Sequence, residues 1–330
     1  MSSASSRTPE IQQYNCTLSP TLIEKAEKEL NEKAQWRDRD IQALRDMVVA
    51  NKALKCPLDG GHLIKFLRAR KFDYERAYNL LISYYTARAN SSQYLKDLVP
   101  SMCKELLDCG ITCMFPNKDS QGRRIMYIRP GKWNPASMPM MEILKVNMLS
   151  LEMVIKEEDT QVNGVICIAN MSDMTMDHVK NFDRNYIKIM SSIIQDAFPM
   201  RFKGFHFINE PTVFGYLFSL VKPFLKEKIV QRLNFHGSSL DSLHKVFDKR
   251  YLPKELDGDL PPGDEIAQVI FFHSFIYFFI HAIIHLFFLH SVIYSFIRSF
   301  IHSFIHSINQ SATNSCGNTR SWRTIRYSKK

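Results

Sequence analysis

The sequence predicts an α/β protein in which an all-helical N-terminal module precedes a mostly parallel sheet with helices packed on it. Residues 19–94 repeat their apolar side chains at helical spacing. Beyond about residue 95, strand-like and helix-like segments alternate, and residues 164–170, GVICIAN, form an apolar run typical of a strand buried on both faces. These observations predict a helical module at 19–94 and a sheet-containing domain at 95–260.

Four helices with short links are predicted in the N-terminal module. Residues 1–18 are polar, and we expect them to be disordered. Ser19 can cap the first helix with Pro20 at its first position, and Asp73 can cap the fourth. The remaining boundaries are about 36–54 for the second helix, 62–72 for the third and Arg88 for the end of the fourth.

The second half begins with two predicted strands, Ile111–Phe115 and Arg124–Arg129, on either side of the turn-forming residues NKDSQG. A helix over about 138–157 leads to the buried strand at 164–170. A long helix over roughly 178–197 follows, and then the strand GFHFI. Because helices separate the later strands, the pattern favours parallel pairing.

The basic charge of the chain is unevenly distributed. The formal net charge is +10, but the residues from Gln268 onward hold six Lys and Arg and no acid, which leaves 37 Lys and Arg against 33 Asp and Glu before them. A nearly balanced body carries no general nucleic-acid footprint. The seven cysteines form no CxxC pair and no regular framework, which favours free thiols and no metal site.

No catalytic constellation is evident, so we expect neither an enzyme nor a cofactor. The sequence lacks GxSxG, GxxxxGK[ST] and GxGxxG motifs. His236 and Ser238 are close in sequence, but a turn after a strand explains them. Asp173 and Asp177 have the character of surface or capping carboxylates, since nothing apolar isolates them.

Residues 187–232 alternate apolar and basic blocks. An apolar helix ends at Phe198-Pro199, a short link carries Arg201 and Lys203, and a second amphipathic helix starts near Pro211. This order predicts an apolar cavity under a movable lid beside a cationic rim. A plain helix–strand–helix core fits the composition nearly as well.

The segment HLIKFLRARKFDYERAYNLL resembles the N-terminal module of CRAL-TRIO lipid-binding proteins. The segments that follow the lipid-binding domain of that family, in order, are NGVICIANMSD, QDAFPMRFKGFHFINEPTVFGYLFSLVKPFLKEKIVQR, NFHG and YLPKELDG. The resemblance covers about residues 20–260. It is strongest to the branch of alpha-tocopherol transfer protein, clavesin and cellular retinaldehyde-binding protein.

The resemblance implies a carrier that holds one hydrophobic molecule under a lid helix and exchanges it at membranes. It also implies a basic patch for phosphoinositide head groups, including phosphatidylinositol bisphosphate, formed by Arg70, Arg201, Lys203, Lys228 and Arg232. Lys228 and Arg232 share a helical face, and Arg201 and Lys203 share a side if their link is extended. The assignment of Arg70 depends on the resemblance alone, and solvated charges are the alternative for each residue.

The cavity wall is expected to combine apolar side chains from several elements. These are Leu144, Met148, Leu151, Val165, Cys167, Phe182, Met190, Ile193, Ile194, Phe198, Met200, Phe214 and Leu217. Each one taken singly fits a plain core residue at least as well. Candidate polar groups that would select the ligand are Asn147, Ser150, Ser191 and Ser192. Tocopherol, retinoid and phospholipid ligands all stay open.

We expect a cytoplasmic protein, because the polar N-terminus lacks an apolar signal segment. We also expect a monomer. It would act peripherally on endosomal or other intracellular membranes, with a small hydrophobic lipid and a phosphoinositide surface as partners. The alternative is a scaffold or regulator that senses lipid without moving it, possibly anchored by its C-terminal tail.

Residues 261–330 form an atypical tail in which SFIH recurs. The codons TCA-TTC-ATT-CAT give Ser-Phe-Ile-His in each forward reading frame, so translation of simple-repeat DNA is the first interpretation. A membrane anchor at 269–297 is the second, because the segment is long enough and has no formal charge. Metal binding by His281/His285 or His302/His306 is the weakest, since the repeat itself explains their spacing.

Overall fold

The computed structural model describes residues 13–95, 98 and 107–267. The predictions for the tail beyond 267, including the anchor and the histidine pairs, lie outside the described residues. Residues 14–18 were expected to lack structure, but they pack against the body of the protein. Tyr14 donates a hydrogen bond to Glu158 at 2.5 Å, and Leu18 is buried.

The four helices predicted in the N-terminal module are present. Their bounds are Pro20–Leu30 for α1, Arg37–Ala50 for α2, Gly60–Ala69 for α3 and Tyr74–Asn90 for α4, and a short α5 follows at Ser92–Leu95. The hydroxyl of Ser19 accepts from the amide of Leu22, and Asp73 accepts from the amide of Arg76 at 3.0 Å. Both predicted caps therefore begin their helices.

Helix α3 ends three residues earlier than predicted because the chain turns sharply after Arg70. Lys71 and Phe72 both take left-handed backbone conformations, with φ of 55° and 59°. The amide of Phe72 bonds back to the carbonyl of Leu67 at 2.8 Å, which closes the helix end.

A five-stranded sheet follows in the order β1-β2-β3-β4-β5. The strands are Thr112–Lys118, Arg124–Ile128, Val165–Asn170, Phe202–Ile208 and Leu233–Phe235. Only the first pair is antiparallel, and the other neighbours run parallel. The predicted mostly parallel sheet is confirmed, and Val165–Asn170 is buried at every position.

Helices and short turns connect the strands. The helices are α6 at Met140–Val154, α7 at Glu158–Asn163, α8 at Met176–Lys180, α9 at Arg184–Ser192, α10 at Phe214–Val221, α11 at Glu227–Val230 and α12 at Leu240–His244. The single long helix predicted over 178–197 is wrong. The chain breaks after α8, and Asp183 caps α9 by accepting from the amide of Asn185 at 2.7 Å. A π-helical turn, Ile193–Ala197, then continues α9.

The sheet has two faces with different coverings. The cavity face, defined by Met114, Met126, Val165, Cys167 and Phe202, belongs to the same apolar cluster as the helices of the N-terminal module. The rear face, defined by Phe115, Ile125, Tyr127, Ile166 and Ile168, packs against the segment that follows β5, from Leu243 to Ala267. The helical module and the cavity face thus share one continuous core.

Candidate functional site

Most of the predicted cavity wall lies in one cluster on the cavity face. Eight of the residues are buried within it, and Met190 and Ile194 pack against it. The buried eight are Leu144, Met148, Leu151, Val165, Cys167, Ile193, Phe198 and Met200. Leu217, Phe182 and Phe214 lie instead in a neighbouring cluster with Met171, Met174 and Val179. The residues predicted for the wall therefore fall into two parts, one in the cluster that contains α4, α6 and the π turn and one that includes α10.

A small pocket opens inside the first part. Its lining residues are Tyr84, Ala87, Arg88, Leu95, Met148, Ile193, Ala197 and Phe198. The free volume is about 10 Å³, close to the room that one water needs. A ligand pocket normally encloses about 300–1,000 Å³, so this pocket is too small for a lipid.

The candidate polar groups differ in position. Asn147 is buried and accepts a hydrogen bond from Thr112 at 2.7 Å while it donates to Tyr186 at 3.1 Å. Ser150 and Ser191 are also buried, whereas Ser192 is exposed at the end of α9. Ser192 does not fit the prediction of a wall residue, because α9 turns its hydroxyl away from the core.

The predicted lid is a short helix with a turn at its end, and we call Phe214–Phe224 the lid. Helix α10 starts at Phe214 and not near Pro211 as predicted, because Pro211–Val213 form a turn whose carbonyl at Pro211 accepts from the amide of Phe214. Leu217, on α10 itself, is the buried residue of the lid. The rings of Phe214 and Phe218 lie 6.0 and 5.3 Å from that of Phe235, which is half exposed on the edge strand β5.

The far end of the lid is held by a residue that the sequence analysis did not single out. The side chain of Gln195, in the π turn, donates to the carbonyl of Phe224 at 3.0 Å and accepts from the amide of Lys226 at 2.6 Å. Lys226 also forms an ion pair with Asp196. This contact joins the π turn, which carries the predicted wall residues Ile193 and Ile194, to the end of the lid. Turns of π-helix recur at functional sites.

The near end of the lid holds two unusual residues. Asn209 has a φ of 56°, in the left-handed region, which asparagine tolerates better than most residues with a Cβ. Both carboxylate oxygens of Glu210 are buried without a hydrogen-bond partner among the described residues. A buried polar group without a partner raises the free energy of the state that contains it. The closed position of the lid is therefore not uniformly favourable.

Arg201 and Lys203 lie on one side of the chain, as predicted for an extended link, and both contact Glu29 of α1. The Nη2 of Arg201 lies 3.1 Å and the Nζ of Lys203 lies 3.6 Å from the same carboxylate oxygen. Burial raises the pKa of Glu29, but the hydrogen bond from Arg201 and the charges of Lys203 and Lys25 outweigh it and hold that pKa below its usual value. These two cations are partly neutralised within the protein.

The charges of Arg70 and Arg232 both act on Lys228. Burial lowers the pKa of Lys228, and the positive charges of Arg232 and Arg70 lower it further. Lys71 and Arg76, which the sequence analysis did not select, contribute to the same effect. Arg232 donates to the carbonyl of Phe202, the residue between Arg201 and Lys203. The residues predicted for the rim thus differ in their surroundings, and Arg201 and Lys203 are the two that Glu29 partly neutralises.

The remaining polar residues considered in the sequence lie at the surface or in ordinary hydrogen bonds. Asp173 and Asp177 are exposed, in agreement with their interpretation as surface carboxylates. His236 follows β5 and forms hydrogen bonds with Ser242 at 2.7 Å and His206 at 3.0 Å, while Ser238 is exposed. Within residues 13–95, 98 and 107–267, no cluster of three or more His, Cys, Asp or Glu could hold a metal ion. In that same part of the chain, no helix combines the length and the apolar character needed to cross a bilayer.

Comparison with protein families and known proteins gives a consistent result. The family model described as CRAL/TRIO domain matches residues 109–258, and the one described as CRAL/TRIO, N-terminal domain matches residues 24–83. The human alpha-tocopherol transfer protein-like protein is 42% identical over 251 residues, which cover 76% of this chain and 73% of that protein. Rat clavesin-1 is 36% identical over 251 residues, 75% of this chain and 71% of that protein. Among solved structures, the crystal structure of Sfh5 matches with a TM-score of 0.41 at 13% identity, over 68% of this chain and 84% of that one.

Proposed function

The chain belongs to the CRAL/TRIO family, and on that basis we propose that it is a lipid carrier rather than an enzyme. It binds one small hydrophobic molecule, tocopherol-like or retinoid-like, and exchanges it at phosphoinositide-containing membranes. The ligand class is suggested by the relative whose name refers to alpha-tocopherol transfer. The carrier acts as a monomer in the cytoplasm and attaches peripherally to intracellular membranes.

One observation carries the proposal. Leu217 is the one buried residue of the lid, in the cluster with Met171, Met174 and Val179, and Gln195 joins the end of the lid to the π turn beside the cavity-face cluster. Each square ångström of apolar ligand surface that leaves water contributes about 25 cal/mol. The pocket now has room for about one water. The free energy gained from ligand burial can offset the cost of moving the side chains that line it.

The cations beside the lid supply a reason for release at a membrane. A phosphoinositide head group would bind Lys228 and Arg232 by charge-assisted hydrogen bonds. The lid follows β4 and directly precedes these residues in the chain. Head-group binding would therefore hold the lid at the bilayer, where its apolar side chains can leave the cavity face without meeting water.

The decisive experiment is lipid transfer between vesicles by the full chain. The double variant Lys228→Ala with Arg232→Ala should transfer cargo to vesicles with phosphatidylinositol bisphosphate more slowly than the wild type. Its transfer to vesicles without that lipid should match the wild-type rate. Unchanged transfer to the bisphosphate vesicles would contradict the role of the rim. The matched control is Lys249→Ala with Arg250→Ala, an exposed pair beyond the rear face.

Native mass spectrometry of the purified full chain separates a carrier from a scaffold. A carrier should retain one lipid per chain after purification, and the retained molecule should identify the ligand class. An empty protein that still binds phosphoinositide vesicles would favour the lipid-sensing scaffold instead.

A further inference from the structure

The chain passes from the sheet to the lid at Glu210. On the sheet side, the amide of Asn209 donates to the carbonyl of Gly237 at 2.7 Å. The side chain of Asn209 also donates to the side chain of Asn170, the last residue of β3, at 3.0 Å. Asn209 is therefore joined both to β3 and to the segment that follows β5.

On the lid side, the backbone hydrogen bonds lead into the lid instead. The carbonyls of Pro211, Thr212 and Val213 accept from amides in the first turn of α10. Pro211 also restricts the backbone of Glu210 to extended conformations. Because the bonds before Glu210 lead to the sheet and those after it lead into the lid, a rotation of the lid as a body would turn the chain at this residue.

The carboxylate of Glu210 is buried at this hinge without compensation. Neither of its oxygens has a hydrogen-bond partner in the part of the chain that the structure describes. Burial lowers the pKa of His236, and the negative charge of Glu210 offsets that effect only in part, so the imidazole is mostly neutral near pH 7. Both ring nitrogens of His236 are already engaged, with His206 at 3.0 Å and with Ser242 at 2.7 Å. His236 therefore supplies neither a counter-charge nor a free donor.

This carboxylate opposes the contacts that keep the lid closed. A buried charge without a partner costs more free energy than a buried neutral group. The closed position bears that cost, and a lid that turns at Glu210 lets the carboxylate regain contact with water. Burial of Leu217 and the hydrogen bonds of Gln195 act in the other direction, since both are made only while the lid is closed.

We propose that the buried carboxylate of Glu210 drives the lid toward its open position and thereby speeds the exchange of cargo. This inference rests on the proposed function and adds a device that regulates it. Glu210 acts as a positioning residue, because it works through the lid and need not touch the cargo. A lid held only by favourable contacts would retain its cargo too long, and the cost of the buried charge brings the closed and open positions closer in free energy.

The test uses substitutions in the full chain that keep the size of the side chain. Glu210→Gln removes the charge, and Glu210→Met removes the polar group altogether. The matched control is Glu265→Gln, which removes an exposed carboxylate from the segment on the rear face. Gln195→Ala serves as the opposite case, since it deletes two hydrogen bonds at the far end of the lid.

Hydrogen exchange of the amides in Phe214–Val221 measures opening of the lid without cargo or vesicles. Glu210→Gln should slow this exchange about tenfold, and Glu210→Met should slow it at least as much. Gln195→Ala should speed it, and Glu265→Gln should leave it unchanged. The thermal midpoint of both Glu210 variants should rise or stay equal, whereas the loss of a residue that merely supports the fold would lower it.

Transfer of a fluorescent tocopherol analogue or a fluorescent retinoid to phosphatidylcholine vesicles measures release. For the probe that the wild type carries, Glu210→Gln should reduce the transfer rate about tenfold, in step with hydrogen exchange. Glu265→Gln should transfer it at the wild-type rate.

The contrary results separate this inference from the proposed function. Unchanged or faster hydrogen exchange in both Glu210 variants would overturn the role of Glu210, because it would show that the carboxylate does not oppose closure. If the wild type carries neither fluorescent probe, the proposed function fails, and hydrogen exchange alone still decides whether Glu210 opens the lid.

Discussion

The side chains of Arg68 and Glu32 form a fully buried ion pair between α3 and the end of α1. The Nε and Nη2 atoms of Arg68 each lie 2.8 Å from one carboxylate oxygen of Glu32, and neither side chain is exposed to solvent. Arg68 also donates to Gln161 at 2.7 Å, beside β3. The two arginines of FLRAR thus differ, since Arg68 joins elements inside the protein while Arg70 is half-buried and its charge acts on Lys228.

Removal of the charge on Glu32 should destabilise the protein strongly. Glu32→Gln leaves the guanidinium of Arg68 buried without its main counter-charge, and the loss of one partner of a buried pair costs about 3–5 kcal/mol. Denaturant unfolding measures the change. Glu27→Gln, an exposed position on the same helix, should cost less than about 0.5 kcal/mol. Equal effects of the two substitutions would contradict a structural role for the pair.

The same pair should make stability depend on pH. Burial raises the pKa of Glu32, but Arg68 and Arg37 outweigh burial and hold that pKa below its usual value of 4.5. A depressed carboxyl pKa contributes stability that is complete above the unfolded pKa and is lost as pH falls through the folded one. The wild type should therefore lose free energy of unfolding below about pH 4.5, and the Glu32→Gln variant should lose less over the same range. Parallel pH curves would exclude this linkage.

Glu29 should weaken membrane binding, because it pairs with Arg201 and Lys203. Glu29→Gln frees both cations, and we expect affinity for phosphoinositide vesicles to rise about two- to fivefold. Stability should change by less than about 1 kcal/mol, since these pairs are partly exposed. Vesicle co-sedimentation checks the first expectation. Glu24→Gln, exposed on the same helix, is the control, and a rise common to both variants would point to net charge alone.

Phe235 should determine how readily the lid opens. Its ring supports Phe214 and Phe218 of the lid, and an aromatic pair contributes about 0.5–1.5 kcal/mol beyond burial. Phe235→Ala should therefore speed cargo exchange about threefold to tenfold while the fold persists. Stopped-flow transfer of a fluorescent lipid measures this rate. Val246→Ala, at a comparably exposed apolar residue that follows α12 in the chain, should leave this rate unchanged. A slower Phe235→Ala variant would contradict the role of Phe235.

Local patterns predicted the order of elements well, and long-range contacts account for what they missed. The run at 164–170 indicated a strand buried on both faces, and that strand lies at the centre of the sheet. The apolar stripe from Val179 to Ile194 concealed the break at Asp183, because the side chains stay in phase across it. Aspartate is a cap signal, but no Gly or Pro accompanies it there.

The candidate site shows the same division. The basic residues were recognised by their motifs, but the contact of Arg201 with Glu29 joins positions 172 residues apart. The hold of Gln195 on the lid likewise depends on how the π turn meets Phe224.

The continuous core beneath the helical module bears on how the protein can be cut and recombined. Phe66 and Leu81 of the module belong to the same cluster as Met148 and Phe198 of the cavity wall. A fragment beginning near residue 95 would carry that wall uncovered and would aggregate. Although two family models match the chain, the helical module and the sheet should fold as one unit. Exchange of the helical module between relatives should therefore also alter the space available to the cargo.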